Sequence, residues 1–261
     1  MVDSHCHLQD PAFDADRDEV IARARAAGIE RLLVPGYDLP SSVAAVELSR
    51  RHPSIHAAVG IHPHFVAAAG EEEWDALARL AGEPEVVAIG EIGLDYYRNL
   101  SLPEVQRDGF ARQLALATAT RRPVLVHDRD AHDDVRAALL GWIGPHRGEG
   151  AIRGVLHAFS GDAGMATEMA DAGFLVSFAL PITFGSARGP RAAASALPSG
   201  SFLTETDAPW LAPQGRDARN EPTTALRVAA ELARLRGADP QAVAVEVAGA
   251  FDRLLGGGAP A

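Results

Sequence analysis

Two histidines separated by a single residue, His5 and His7, lie near the start of the chain in the run VDSHCHL at positions 2–8. Side chains on a strand alternate between its two faces, so residues i and i+2 point the same way. If this run is a strand, both imidazoles converge on one point. Convergent imidazoles are typical of a metal site, because neutral imidazole is a common ligand for divalent cations.

Four later apolar runs also end in potential metal ligands, which are Glu91, His127, His157 and Asp207. Any one of these alone is more often a hydrogen-bonding or loop-anchoring group than a ligand. Six such residues together are harder to explain separately, and burying them without a cation would cost free energy. Imidazoles combined with carboxylates suit Zn, Mn, Fe or Co, and additional carboxylate or water ligands would tolerate Mg.

The elements that must position these residues follow from the pattern of short apolar, β-branched runs. We predict eight strands, which lie near 2–8, 31–36, 55–61, 86–92, 123–127, 153–158, 174–179 and 202–206. Stretches rich in Ala, Leu, Arg and Glu predict helices near 14–27, 41–51, 72–81, 103–121, 130–141, 162–172, 187–196, 222–236 and 240–254.

Repeated alternation of strand and helix predicts an α/β fold with parallel strands and right-handed crossovers, most simply a single (β/α)8 TIM barrel. An open doubly wound sheet is the alternative, but its typical G-x-G-x-x-G turn is missing from the sequence. Barrel active sites form at the carboxyl ends of the strands, so we expect all six candidate ligands on one rim. We expect the barrel to occupy residues 1–255, followed by a flexible tail at 256–261.

The 261-residue chain is 47% apolar, which allows one large core. No apolar run reaches the roughly 18–20 residues that cross a bilayer, and no basic segment precedes a short apolar core, so we expect neither a membrane span nor a secretion signal. Cys6 is the only cysteine, so no intrachain disulfide can form and we expect a buried structural thiol. These features favour a cytoplasmic protein, and a monomer is the simpler expectation.

The formal net charge of −11 argues against broad electrostatic attraction to nucleic acid, which normally needs a basic surface. It does not exclude an enzyme that grips a phosphodiester through bound cations, because those ions supply local positive charge. All 24 basic residues are arginine. Because lysine is absent, a carboxylated lysine cannot bridge two metals here, and any bridging ligand must be an ordinary carboxylate.

A set of short motifs extends over nearly the whole chain: DSHCHL at 3–8, GIHPH at 60–64, GEIGLDYY at 90–97, HDRDA at 127–131, HAFSG at 157–161, ETDAPWLAP at 205–213 and RNEP at 219–222. In these motifs the chain resembles the TatD-related metal-dependent hydrolases, a deoxyribonuclease-like branch of the amidohydrolase superfamily. The resemblance implies a (β/α)8 barrel and two divalent metal ions, Mg, Mn or Zn. It implies that one ion is held by His5, His7 and Asp207, the other by His127 and His157, with Glu91 bridging.

The chemistry that we hypothesise is hydrolysis of a phosphodiester, in DNA or in a nucleotide diester, by water that the metals activate. Glu91 and Asp207 are the candidate catalytic residues. We expect Asp207 to orient or deprotonate the water while it also contacts a metal. The alternative for Asp207 is ligation alone.

Further polar residues near the expected rim are candidates for supporting roles. Glu205 would accept a hydrogen bond from a ligand imidazole and fix its tautomer, or else serve as a structural carboxylate elsewhere in the barrel. His62 and His64 repeat the same-face spacing after the third strand, and we expect contact with phosphate or the leaving group rather than packing on the rim. Arg129 would bind phosphate, with an ion pair to Asp95, Asp130 or Glu221 as the alternative.

Two other functions use the same residues. The metals could instead polarise the carbonyl of an amide, ester or lactone, or of an aminoacyl-tRNA ester, because activated water is common to all of these reactions. A non-catalytic metal-binding barrel is the third possibility. It predicts that a ligand or the water-orienting acid is missing, and the sequence retains both.

Overall fold

The computed structural model describes residues 1–144, 152–213 and 218–256. Within these residues the sheet has eight strands: β1 (Val2–Asp3), β2 (Arg31–Pro35), β3 (Ile55–Val59), β4 (Val86–Asp95), β5 (Val124–Arg129), β6 (Gly154–Leu156), β7 (Phe174–Phe178) and β8 (Phe202–Thr204). The order of the strands in the sheet follows their order in the chain, and the paired neighbours run parallel. The predicted (β/α)8 barrel is therefore confirmed.

Helices connect the strands on the outside of the barrel: α1 (Arg17–Ala26), α2 (Leu39–Arg51), α3 (Glu71–Leu80), α4 (Pro103–Thr120), α5 (His132–Ile143), α6 (Ala163–Asp171), α7 (Arg188–Ala196), α8 (Ala225–Arg236) and α9 (Pro240–Gly256). Their starts have clear local causes. The carboxylate of Asp38 accepts a hydrogen bond from the backbone N–H of Ser41 at 2.8 Å, and the backbone N–H of Asp38 donates to the hydroxyl of Ser41. These two bonds form a capping box before α2. Asp162 caps α6 in a similar way, by accepting the N–H of Met165 at 2.9 Å.

The barrel closes where the first strand meets the last. The N–H of Ser4 donates to the carbonyl of Thr204 at 2.9 Å, and the N–H of Asp207 donates to the carbonyl of His5 at 2.9 Å. Regular pairing of β1 ends at Asp3, earlier than the predicted strand at 2–8. Beyond it the chain continues through single hydrogen bonds to both neighbours, including one from the N–H of Cys6 to the carbonyl of Leu33 at 3.1 Å.

An extra residue in β4 shapes the centre of the barrel. Ile89 pairs with Val124 and Ile92 pairs with Val126, so β4 has one more residue than β5 between these pairs. This bulge contains Gly90, where a Cβ atom would lie only 2.5 Å from the Cβ of Leu125. Glycine lets the two backbones approach closely at this point, immediately before the buried side chain of Glu91.

The apolar core fills the barrel and the layer between the strands and the helices, and it includes Phe174, Phe178, Phe202 and Phe251. Cys6 is buried in this core and is a free thiol. No helix among the described residues has the length and apolar character that crossing a membrane requires. Helix α9 runs to Gly256, and the rest of the predicted tail, 257–261, lies outside the described residues. The domain bounds stay a prediction.

Candidate metal centre at the mouth of the barrel

The structure brings all six predicted ligands together at the carboxyl ends of the strands, as expected from the barrel. They come from five places in the chain: His5 and His7 after β1, Glu91 on β4, His127 on β5, His157 after β6 and Asp207 after β8. Their donor atoms divide into two groups that share the carboxylate of Glu91.

The first of these, here called the His5 group, consists of Nε2 of His5, Nε2 of His7, Oδ1 of Asp207 and Oε2 of Glu91. The two imidazole nitrogens lie 3.1 Å apart. Oε2 of Glu91 lies 3.4 Å from the nitrogen of His5 and 3.5 Å from that of His7. Oδ1 of Asp207 lies 3.9 Å and 3.5 Å from the same two nitrogens.

The second, here called the His127 group, consists of Nδ1 of His127, Nε2 of His157 and Oε1 of Glu91. The carboxylate oxygen lies 3.0 Å from His127 and 2.9 Å from His157, and the two nitrogens are 3.2 Å apart. Nε2 of His62 lies 3.5 Å from the same oxygen at the edge of this group. The two oxygens of Glu91 therefore face different groups, which is the geometry of a bridging carboxylate.

These separations fit metal ions as occupants. A tetrahedral ion with bonds of about 2.0–2.1 Å to nitrogen and oxygen holds its ligand atoms about 3.4 Å apart, close to the distances within both groups. A cation would also offset the free-energy cost of packing the imidazoles of His5, His7 and His157 and the carboxylate of Glu91 together away from water. Imidazole and carboxylate donors suit Zn, Mn, Fe or Co, and Mg would need added water ligands.

The electrostatics of the cluster act differently on its members. Burial acts to raise the pKa of Glu91, but the surrounding imidazoles, first of all His157, hold that pKa well below its usual range, so the carboxylate is ionised. Burial lowers the pKa of His5 and lowers that of His62 further, which favours the neutral imidazole in both residues. Burial also acts to lower the pKa of His157, yet the carboxylates of Glu91 and Glu205 raise it well above its usual value.

Outside the donor atoms, a second set of contacts fixes the orientation of the imidazoles. Oε1 of Glu205 lies 3.3 Å from Nδ1 of His157 and accepts the N–H of Ala158 at 2.6 Å, which is the contact expected for Glu205. Nδ1 of His7 lies 3.1 Å from the carbonyl oxygen of Pro35 and donates to it. Such partners determine which nitrogen carries the proton and which remains free for a metal.

Asp95 is a supporting residue that sequence reasoning did not assign to this role. Its Oδ2 lies 3.4 Å from Nε2 of His127 and 2.7 Å from Nε2 of His64. Its Oδ1 accepts the N–H of Arg98 at 2.7 Å. Although burial acts to raise the pKa of Asp95, these bonds lower it far below its usual value. The available signal was its position four residues after Glu91, at the end of the same strand.

Asp207 occupies an unusual backbone position. Its φ is +57°, a left-handed conformation that costs a residue with a side chain free energy and often marks a functional site. Its side chain is 17% exposed, compared with 5% for Glu91. The carboxylate of Asp207 therefore faces both the His5 group and the open mouth of the barrel.

The predicted substrate-binding residues border the same mouth. His62 is buried beside the His127 group, and His64 is joined to it through Asp95. The guanidinium of Arg129 lies over the ring of Tyr97, 5.2 Å from its centroid. In the described part of the chain it forms no ion pair, so the partners proposed for it from the sequence do not hold it. Contact of these three residues with a substrate stays a prediction.

The sequence and the fold were compared with those of known proteins. A family model described as TatD related DNase matches residues 2–256. An uncharacterized metal-dependent hydrolase, YabD of Bacillus subtilis, is 37% identical over 90% of this chain and 91% of its own. The 3′-5′ ssDNA/RNA exonuclease TatD of Klebsiella pneumoniae is 37% identical over 92% of both chains. The crystal structure of YjjV, a TatD homolog from Escherichia coli K12, is 30% identical, with a TM-score of 0.90 over 97% of both chains.

Proposed function

The chain belongs to the TatD-related DNase family, and we propose that it is a metal-dependent nuclease that hydrolyses phosphodiester bonds of single-stranded nucleic acid, DNA above all. The observation that carries this proposal is the pair of donor groups joined by the two oxygens of Glu91. Two adjacent cation positions suit phosphodiester cleavage, because the reaction must stabilise charge on both the attacking and the departing oxygen. Relatives of similar length are 3′-5′ exonucleases for ssDNA and RNA.

The ions that we propose are two divalent cations, Mg, Mn or Zn, held by the His5 group and the His127 group. When bound, such cations supply Lewis acidity and bring the pKa of a water from about 15.7 towards about 7. They also explain how a chain with a net charge of −11 would accept a polyanion.

The residues of the chain divide the remaining work. Glu91 holds the two groups in register through its two oxygens. Asp207, which faces both the His5 group and the mouth, orients the attacking water and accepts its proton. Glu205 and Asp95 keep His157 and His127 in the tautomers that leave their inward nitrogens free.

Substrate contacts belong to the rim. Burial lowers the pKa of His62, so its imidazole is neutral and donates a hydrogen bond to a phosphoryl oxygen or to the departing oxygen. His64 supports this position from beside Asp95. Arg129 offers a guanidinium that no carboxylate in the described residues neutralises, which suits contact with a phosphate. The expected monomer and cytoplasmic location are not needed for this proposal.

The test is a substrate panel with purified protein stripped of metal and reloaded with Mg, Mn or Zn. The panel contains single-stranded DNA, single-stranded RNA, duplex DNA, a nucleotide diester, and amide, ester and lactone substrates. We expect metal-dependent release of nucleotides from single strands. Turnover confined to carbonyl substrates would overturn the nuclease proposal in favour of an amide, ester, lactone or aminoacyl-tRNA hydrolase.

A matched pair of variants shows whether the cleavage comes from this protein or from a contaminating nuclease. Asp207→Asn should abolish most of the cleavage. Asp108→Asn changes an exposed carboxylate on α4 and should cleave like the parent protein. Equal activity of both variants would mean that the cleavage does not come from this site.

A further inference from the structure

Three aromatic side chains, Tyr37, Phe65 and Trp210, form a continuous surface along one side of the mouth, here called the aromatic wall. The ring of Trp210 lies 4.7 Å from the ring of His7, and that of Tyr37 lies 5.6 Å from it. Tyr37 and Phe65 are stacked with their centroids 5.6 Å apart. The wall therefore begins in contact with the His5 group and leads away from it.

Much of this apolar area remains open to water. Phe65 is 41% exposed and Trp210 is 46% exposed. Exposed aromatic rings next to a catalytic cluster are typical of a surface that a ligand covers. An occupant of the wall would lie directly beside the His5 group, so we expect it to be part of the substrate.

The backbone ties the wall to the site. Trp210 donates its N–H to the carbonyl of Asp207, and Phe65 donates its N–H to the carbonyl of His62, both at 2.8 Å. The hydroxyl of Tyr37 donates to Oδ2 of Asp10 at 3.3 Å. The rings are consequently held at fixed positions relative to the residues proposed to handle the scissile bond.

Charge decides which part of a nucleotide the wall suits. Burial and the nearby carboxylates of Asp10 and Asp38 raise the pKa of Tyr37 to about 12, so the phenol stays neutral. An uncharged aromatic surface bordered by carboxylates disfavours a phosphate. It suits a nucleobase, because every base has a flat π-face that stacks on an aromatic ring.

We propose that the aromatic wall is a stacking subsite for the nucleobase next to the scissile phosphodiester. This inference rests on the proposed nuclease function. A base that stacks on the wall must first leave its partner strand, so the subsite selects unpaired ends and tolerates any sequence.

The experiment combines variants of the wall with substrates that lack bases. Single-stranded DNA oligonucleotides with normal 3′ ends are compared with oligonucleotides whose two terminal nucleotides are abasic. For the normal oligonucleotide, Trp210→Ala and Phe65→Ala should each raise KM by about fivefold to 150-fold, the effect of losing one base–aromatic stack. For the abasic oligonucleotide the parent protein should already show the high KM, and neither variant should raise it further.

Two further variants serve as controls. Phe184→Ala removes a phenylalanine that is 53% exposed but has no ring contact with the wall in the described residues, and it should leave KM unchanged. Trp210→Phe retains an aromatic ring and should restore most of the affinity. Thermal unfolding of each variant checks the fold. Because Phe65 and Trp210 are partly exposed, we expect only small changes in the unfolding midpoint.

A binding measurement without turnover provides an independent readout. A phosphorothioate-protected oligonucleotide should quench the fluorescence of Trp210 in the parent protein and in Phe184→Ala, but not in Trp210→Phe. Equal KM values for normal and abasic ends, with normal cleavage by all variants, would overturn the stacking subsite alone. Failure of the parent protein to cleave any oligonucleotide would instead overturn the proposed function.

Discussion

The two donor groups share Glu91 but are supported in different ways. In the His127 group, each imidazole faces a carboxylate on its outer side, Asp95 for His127 and Glu205 for His157. In the His5 group, Nδ1 of His7 faces the carbonyl of Pro35, and the described residues place no carboxylate within 4 Å of Nδ1 of His5. Nε2 of His127 also lacks a hydrogen bond within the described residues, but it lies 3.4 Å from a carboxylate oxygen of Asp95.

Because of this difference, one cluster can offer two cation positions with different properties. A carboxylate behind an imidazole raises its basicity and fixes its tautomer, which strengthens a metal bond but also strengthens the hold on a proton. A backbone carbonyl or an apolar surrounding does this less. We therefore expect the carboxylates to determine the basicity of the imidazoles in the His127 group, and burial to determine it in the His5 group. Asp207 is the ligand of the His5 group that is partly exposed to water.

Substitution of the shared carboxylate, Glu91, should have the largest effect on metal content and turnover. Glu91→Gln weakens an ionised bridge in both groups at once, so we expect loss of both ions and turnover no higher than that of the metal-free protein. Metal content by elemental analysis and single-strand cleavage measure the two consequences. Retention of both ions with near-normal turnover would mean that Glu91 does not join the groups.

A substitution at Asp207 should affect the His5 group and leave the His127 group unchanged. Asp207→Asn removes the proposed base of the His5 group, and we expect kcat to fall by about 10²- to 10⁴-fold, the usual contribution of a general base. The ion of the His127 group should remain, because none of its ligands changes. An unchanged kcat, with Asp108→Asn as the reference, would leave Asp207 without a catalytic role.

Substitutions of the two carboxylates on the outer side of the imidazoles should have smaller effects, and each should lower the metal affinity of one group. Asp95→Asn and Glu205→Gln should each weaken one metal position by about 10- to 100-fold, with the other position unaffected, as measured by calorimetric titration. Asp134→Asn is a suitable control, because that carboxylate accepts a hydrogen bond from the hydroxyl of Tyr96, away from both groups. Equal weakening of both positions would contradict the proposed asymmetry.

Acidification should remove metal from the two groups at different pH values. In the metal-free protein the pKa of His157 is raised and the pKa of His5 is lowered, so His157 takes up a proton at higher pH. Protons compete with metals for the same nitrogen. Metal content measured between about pH 8 and pH 5, the range in which histidines titrate, should show loss from the His127 group first. Loss in the reverse order would contradict this.

The strand pattern predicted the barrel well, because short apolar runs that alternate with helices leave few other arrangements. The strand ends were less predictable. β4 continues to Asp95 instead of ending near 92, since it pairs with β5 as far as Arg129. Such pairing depends on the register of a distant segment, and no local pattern contains that information.

The candidate ligands could be predicted because each follows a strand and belongs to a recognisable motif. The outer contacts could not. Asp95 meets His127 only because the bulge at Gly90 sets the register between β4 and β5. The aromatic wall likewise joins loops after β2, β3 and β8, which are far apart in sequence, so only the closed barrel reveals it.

Closure of the barrel by its first and last strands also has a consequence during translation. The His5 group needs residues from both, since His5 and His7 follow β1 whereas Asp207 follows β8. A nascent polypeptide that has not yet emerged from the ribosome beyond Asp207 lacks this group and the seam that supports it. The His5 group therefore cannot be complete before the last of the eight strands and the residues up to Asp207 have been synthesised, so a chain that stops before Asp207 would lack this donor group.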